Sequence, residues 1–128
     1  MNFPEELKYS NQHEWAKIEG NVAIVGISDH AQDALGDITF VELPLEGTDL
    51  SKDDEACSIE SAKAASGIYA PVSGKICEVN GELEDAPELV NSDPYGAGWI
   101  FKIEMSNSSE AEKLMDAKDY QKFLASQE

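Results

Sequence analysis

The segment 60-ESAKAASGIYAPVSGKICEVN-80 sets one lysine, Lys63, among alanines at the point where two strand-like stretches meet. Upstream, 56-ACSIES-61 reads as a strand; downstream, SGIYAP and VSGKICEVN read as further strands. If ACSIES and SGIYA pair antiparallel, Lys63 falls at the crest of their hairpin. Ala62, Ala64 and Ala65 give no bulk to shield it, so the amine is expected to project into water. Exposure is the ordinary state of a lysine. The context is not ordinary, because Lys63 is the one basic side chain between Lys52 and Lys75, and a loop crest is where a second protein's active site gains access. A Schiff-base lysine needs burial or a neighbouring cation to lower its pKa, and alanines at a turn supply neither. The amine therefore reads as an attachment point.

Outward from the hairpin, strands and turns recur at short intervals. HEWAKIE alternates, Glu19-Gly20-Asn21 offers a turn, and VAIVGI resumes as a strand, which predicts a hairpin. Asp29 is expected to cap a helix of about two turns, with Gln32 as its capping-box partner and Gly36 at its end. DITFVELP follows as a strand. Residues 45–55 read as a connection with at most one short strand, Glu82 to Asn91 as a helical turn broken by Pro87, and GWIFKIEM as a closing strand. Ser109 and Glu112 repeat the capping-box spacing, and Leu114, Met115, Tyr120, Phe123 and Leu124 make an apolar stripe for one or two C-terminal helices. Many short strands with peripheral helices predict an all-β sandwich or flattened barrel, in one domain spanning residues 1–128.

The charge balance excludes whole classes of partner. Twenty-six acidic residues stand against nine lysines and no arginine, a formal net charge of −17. No segment supplies the basic patch that nucleic acid requires, and the same field repels anionic membrane surfaces. It favours solubility and steering toward basic protein surfaces. No apolar run approaches the length of a membrane span, and the first residues lack the marks of a signal or transit peptide, so a cytoplasmic protein or a mature form is expected. Cys57 and Cys77 are widely spaced without neighbouring histidine, which argues against zinc and for two small buried hydrophobes.

Three separated stretches carry a specific resemblance. ESAKAASGIYAPVSGKICEVN resembles the lipoyl-lysine hairpin of the glycine cleavage system H protein family, 11-NQHEWAKIEGNVAIVGISDHAQDALGDITFVELP-44 resembles its N-terminal signature, and 91-NSDPYGAGWIFKIEM-105 its closing strand. The likeness runs in register from about Leu7 to Leu124. It implies a hybrid barrel-sandwich fold of the biotinyl/lipoyl-carrier type, with lipoic acid amide-linked to Lys63. It further implies a non-catalytic carrier that shuttles the aminomethyl group of glycine from the decarboxylase (P protein) to the aminomethyltransferase (T protein) and is reoxidised by dihydrolipoamide dehydrogenase (L protein). A lipoate ligase or a lipoyl/octanoyl transferase would install the group. A monomer is expected, since a carrier must present its arm freely.

The resemblance also bears on lesser residues. Glu14 matches a family position beside the loaded arm, where a carboxylate could pair with the cationic amine of the cargo. Glu60 and Ser61 stand as recognition residues for the lipoylating enzyme. His13 and His30 read as a surface imidazole and a neutral structural one. Two departures from the family pattern concern the arm: Gly67 where relatives commonly place an acidic residue, and Ala34 at a site that can hold histidine. Three other readings compete. A biotin acceptor usually frames its lysine with methionines; a lipoate relay would pass its lipoyl group to other enzymes; and a small hydrolase would need Cys57 or Ser61 to converge with His13.

Overall fold

The computed structural model describes residues 1–127. Among the described residues nine strands form two sheets. The first has the order β1 (Lys8–Tyr9), β2 (Glu14–Glu19), β3 (Val22–Ile27), β9 (Phe101–Met105), β8 (Gly74–Val79), β5 (Asp49–Leu50). The second has β4 (Ile38–Glu42), β6 (Glu55–Ser61) and β7 (Ala65–Tyr69), with β6 central. All pairings are antiparallel. The inward residues of both sheets meet in one core: Ala23, Val25, Ile76 and Ile103 from the first, Val41, Cys57, Ile59 and Ile68 from the second. This is the expected all-β barrel-sandwich, and β2 and β3 form the predicted hairpin, from Glu14↔Ile27 to Glu19↔Val22.

The helices are peripheral and short. α1 (Asp29–Leu35) follows the first hairpin as expected, but its cap is Ser28, whose side chain accepts from Ala31 N. Asp29 is instead the first helical residue, and its carboxylate takes the Gln32 amide at 2.7 Å. The predicted pair exists, shifted by one position because serine precedes it. Gly36 ends α1 with φ of 80°, a conformation open to glycine. Before and after Pro87 lie a 3-10 turn (Gly81–Glu84) and α2 (Leu89–Ser92). The C-terminal region holds a second 3-10 turn (Ser108–Lys113) and α3 (Ala117–Ser126). Asn107 and Asp116 cap these two, so Ser109 does not serve as a cap; its hydroxyl bonds to Asn107. Leu114 and Met115 lie outside α3, where Met115 bridges to Tyr9.

A second apolar cluster joins Leu7, Tyr9 and Trp15 to Ala117 and Tyr120, with Phe3 and Phe123 packed on it. Tyr9 and Tyr120 stack at 4.7 Å. α3 and the N-terminal segment are thereby tied to the β2 end of the first sheet. Cys57 is buried as expected, whereas Cys77 is exposed, because in β8 it points away from the core that Ile76 enters. Some apolar surface is left outside both clusters, at Phe40 and Leu45. Among the described residues no helix is long and apolar enough to cross a membrane.

Candidate functional site

Lys63 lies at the crest of the β6–β7 hairpin, where the register runs from Cys57↔Ile68 to Glu60↔Ala65 and leaves residues 61–64 to turn the chain. Ser61 builds that turn. Its amide donates to Ala64 O at 2.8 Å, and its hydroxyl accepts from the amides of Lys63 and Ala64 at 3.2 and 3.1 Å. Ala62 N donates to Asp37 O, just past the end of α1, at 3.2 Å. The crest is therefore fastened both to itself and to a second element. The Lys63 side chain is exposed and takes part in no ion pair among the described residues. Glu60, three residues before it, is exposed as well.

The lysine stem lies down over the end of α1. A Cβ placed on Gly36 would stand 3.1 Å from Lys63 Cε and 3.5 Å from its Nζ. Gly36 thus serves twice, accepting a positive φ and leaving room for the stem. Beside this contact opens a cavity of about 210 Å³ whose lining is mostly apolar. One face of α1 contributes His30, Ala31, Ala34 and Leu35; the β6–β7 hairpin contributes Ile59, Ser66, Gly67 and Ile68; β2 and the turn before it contribute Gln12, His13 and Glu14. The two family departures both fall on this lining. At Gly67 a Cβ would come within 2.7 Å of Glu55 Oε1 and 3.0 Å of the Tyr69 hydroxyl, so neighbouring side chains already fill the space a residue there would take.

Glu14 is the carboxyl of the cavity lining, and it is only 2 % exposed. The cause is the tight turn before β2. Ser10 N donates to Glu14 O, His13 N donates to Ser10 O, and Ser10 Oγ accepts from the amides of Gln12 and Glu14 while donating to Glu14 Oε1 at 2.6 Å. Tyr69 N reaches the other carboxylate oxygen at 3.3 Å. Burial pushes the Glu14 carboxyl up to about 7, against the pull of its hydrogen bonds to Ser10 and Tyr69. The site holds a carboxyl poised to ionise near neutrality.

His13 is not the partnerless imidazole expected. Its backbone sits at φ of 73°, and its Nδ1 lies 2.8 Å from the Tyr120 hydroxyl, itself 2.8 Å from Ser28 Oγ. Burial lowers its pKa, with His30, 5.1 Å away between ring centroids, adding to the effect. Ser10 and Asp37 went unmarked in the sequence, although Ser10 stands four residues before Glu14, the spacing that closes this turn, and Gly36 was marked only as a helix end. The structure also gives Ser61 a part the sequence did not show, as the staple of the crest. In Ser61→Ala the amides of Lys63 and Ala64 lose their acceptor, at a cost of about 1 kcal/mol. We expect faster amide exchange at both positions and a severalfold slower initial rate of acylation at Lys63, followed by intact mass; unchanged exchange would show that the hydroxyl does not hold the turn.

The family model described as Glycine cleavage H-protein matches residues 7–127. The glycine cleavage system H protein of Carboxydothermus hydrogenoformans is 54 % identical over 121 residues, covering 94 % of this chain and 93 % of that one. That of Brevibacillus brevis is also 54 % identical, covering 94 % and 96 %. Among solved structures, the H protein of Mycobacterium marinum superposes with a TM-score of 0.84 at 36 % identity, over 92 % of this chain and 95 % of the other. With the match spanning the first hairpin, the lysine crest and the closing strand alike, the chain belongs to the glycine cleavage H-protein family.

Proposed function

We propose that this chain is the lipoyl-lysine carrier of a glycine cleavage system, with lipoic acid amide-linked to Lys63. The observation that supports it most directly is an exposed amine with no ion-pair partner among the described residues, on a braced crest, its stem over the end of α1 beside a mostly apolar cavity with a buried carboxyl in its lining. These residues fit the group: the amine is open to a ligase or transferase, and the cavity's apolar wall suits an aliphatic arm. When bound, the lipoyl group supplies a dithiolane that takes up the aminomethyl group of glycine at the P protein, yields it at the T protein and is reoxidised at the L protein.

The chain's own residues hold and shield. Ser61 and Asp37 fix the point of attachment, which raises the effective concentration of the arm at each docked enzyme and makes transfer nearly intramolecular. Ile59, Ile68, Ala34 and Leu35 exclude water. Glu14 supplies the countercharge for a cationic amine and is ionised by its arrival. The net charge of −17 suits docking by electrostatic attraction to basic partner surfaces, with release between steps. Nothing in this requires a nucleophile of the chain itself: Cys57 is buried, its thiol pushed up to about 12, and Ser61 Oγ is engaged in its own turn. Glycine–bicarbonate exchange with added P protein tests the reading. Lipoylated chain is expected to stimulate exchange; a lipoylated chain that does not would act only as a lipoate relay, and a mass shift with biotin ligase instead would make it a biotin acceptor.

Glu14→Gln separates holding from folding. Between the carboxyl's ordinary 4.5 and its folded value of about 7, the native state binds the extra proton, so the contribution to stability falls as pH rises through this window. The loss amounts to about 3 kcal/mol. The glutamine variant escapes it, and urea unfolding is expected to show it gaining on wild type from pH 5 to pH 8. The same variant is expected to lose ammonia from its loaded arm severalfold faster. An unchanged rate of loss would remove Glu14 from cargo protection.

A further inference from the structure

The cavity holds a second set of ionisable groups that cargo pairing by Glu14 does not use. His13 and His30 both line it, His13 from the turn before β2 and His30 from α1, with their rings 5.1 Å apart. Both are half-buried where Glu14 is buried. They are the two histidines of the chain. The α1 face that lines the cavity leads from Gly36, under the Lys63 stem, back through Leu35, Ala34 and Ala31 to His30, an axial rise of about 9 Å. An eight-carbon acyl amide on Lys63 laid along that face would bring its far end to the imidazole pair.

The pair is held in place. Tyr120 of α3 bonds Nδ1 of His13 and Ser28 Oγ, and Ser28 in turn caps the helix that carries His30. A neutral His13 protonated on Nε2 accepts the Tyr120 proton at this contact. The surrounding ionisable groups are Glu14 on β2, with Asp53 beyond it; Asp29 and Asp33 on α1; Tyr120 on α3; and Met1 of the N-terminal segment, which shares a second hollow with His30. The Asp29 carboxylate is taken up by Asn2 N and the Gln32 amide. No carboxylate lies within ion-pair distance of either imidazole among the described residues.

We propose that His13 and His30 form a charge filter on the cavity: as neutral imidazoles they leave Glu14 to admit a cationic arm, and as imidazolium ions they expel it. Glu14 and the pair then act in the same direction. Acid removes the countercharge and adds two like charges, so retention of a cation falls more steeply than one carboxyl allows. The inference rests on the carrier reading for the identity of the cation; the site itself can be tested without lipoylation.

The probe is the n-hexylammonium ion, titrated into the unmodified chain, with 1-hexanol as the neutral control. Binding is followed by NMR at the His13 and His30 imidazoles and the Ala31 and Ala34 methyls. The wild type is expected to bind hexylammonium about a hundredfold more weakly, or worse, at pH 5.5 than at pH 8, and saturation at pH 8 is expected to lower both imidazole titration midpoints. Hexanol should show little dependence on pH. In His13→Asn/His30→Gln, where asparagine tolerates the positive φ at position 13, only the Glu14 step is left, and the loss is expected to shrink to about thirtyfold. His30→Gln alone, which leaves the Tyr120 contact intact, should fall between. Equal pH dependence in wild type and variants, equal dependence for hexanol, unmoved imidazole midpoints or no cavity shifts at all would each overturn the filter. Failure of lipoylation or of glycine exchange would overturn the carrier reading and leave this result standing.

Discussion

Lys63→Ala is expected to abolish acylation completely while leaving the fold unchanged. Wild-type chain incubated with lipoate ligase should gain one lipoyl mass, and the variant none, even though eight other lysines are present. Two features make the discrimination absolute rather than graded. The crest presents Lys63 at a fixed point through Ser61 and Asp37, and among the described residues its ammonium has no carboxylate partner to displace. The loss should not reflect instability, because the side chain is exposed and contributes nothing to either apolar cluster. Lys63→Arg sharpens the test: it keeps the charge and stem but offers no amine that a ligase can acylate. An adduct on either variant would place the attachment elsewhere and remove the basis of the carrier reading.

The second large effect is structural. Gly74→Ala is expected to cost about 3–5 kcal/mol, much of the stability of a domain this size. A Cβ at Gly74 would stand 2.0 Å from the backbone carbonyl oxygen of Glu104 and 2.8 Å from its carbon. Backbone cannot swing aside as the end of a flexible side chain can. Gly74 pairs with Met105 on one side and Leu50 on the other, so relief must part β8 from β9 or β5 and disturb the sheet where Ile76 and Ile103 enter the core. Urea unfolding checks the figure. A loss below about 1 kcal/mol would mean that the ladder shifts at this point with little resistance.

Most of the architecture was legible because each strand carries its own punctuation. Gly20-Asn21, Pro44, Pro71 and Gly74 divide the chain where the strands in fact end or begin, and the alternation in ACSIES matches the buried Cys57 and Ile59. Caps were less legible. Ser28, Asn107 and Asp116 win over Asp29 and Ser109 because several capping residues stand side by side, and only tertiary placement chooses between them. The lysine crest could be read because its signal is local. The cavity could not, since its lining comes from three distant segments. The burial of Glu14 was not legible because it follows from the Ser10 turn and from Tyr69 fifty-five residues away, and His13 read as a surface imidazole because its partner Tyr120 lies 107 residues on.

The place of β9 bears on how the chain comes to exist at all. It is the last strand to be synthesised, yet it lies between β3 and β8, pairing Ala23↔Ile103 on one side and Ile76↔Ile103 on the other. Until residue 105 has left the ribosome, the larger sheet is two separate halves with open edges. The barrel therefore closes only once β9 is free to pair with both halves, and its long-range pairings make that closure slow relative to a helical protein of equal size.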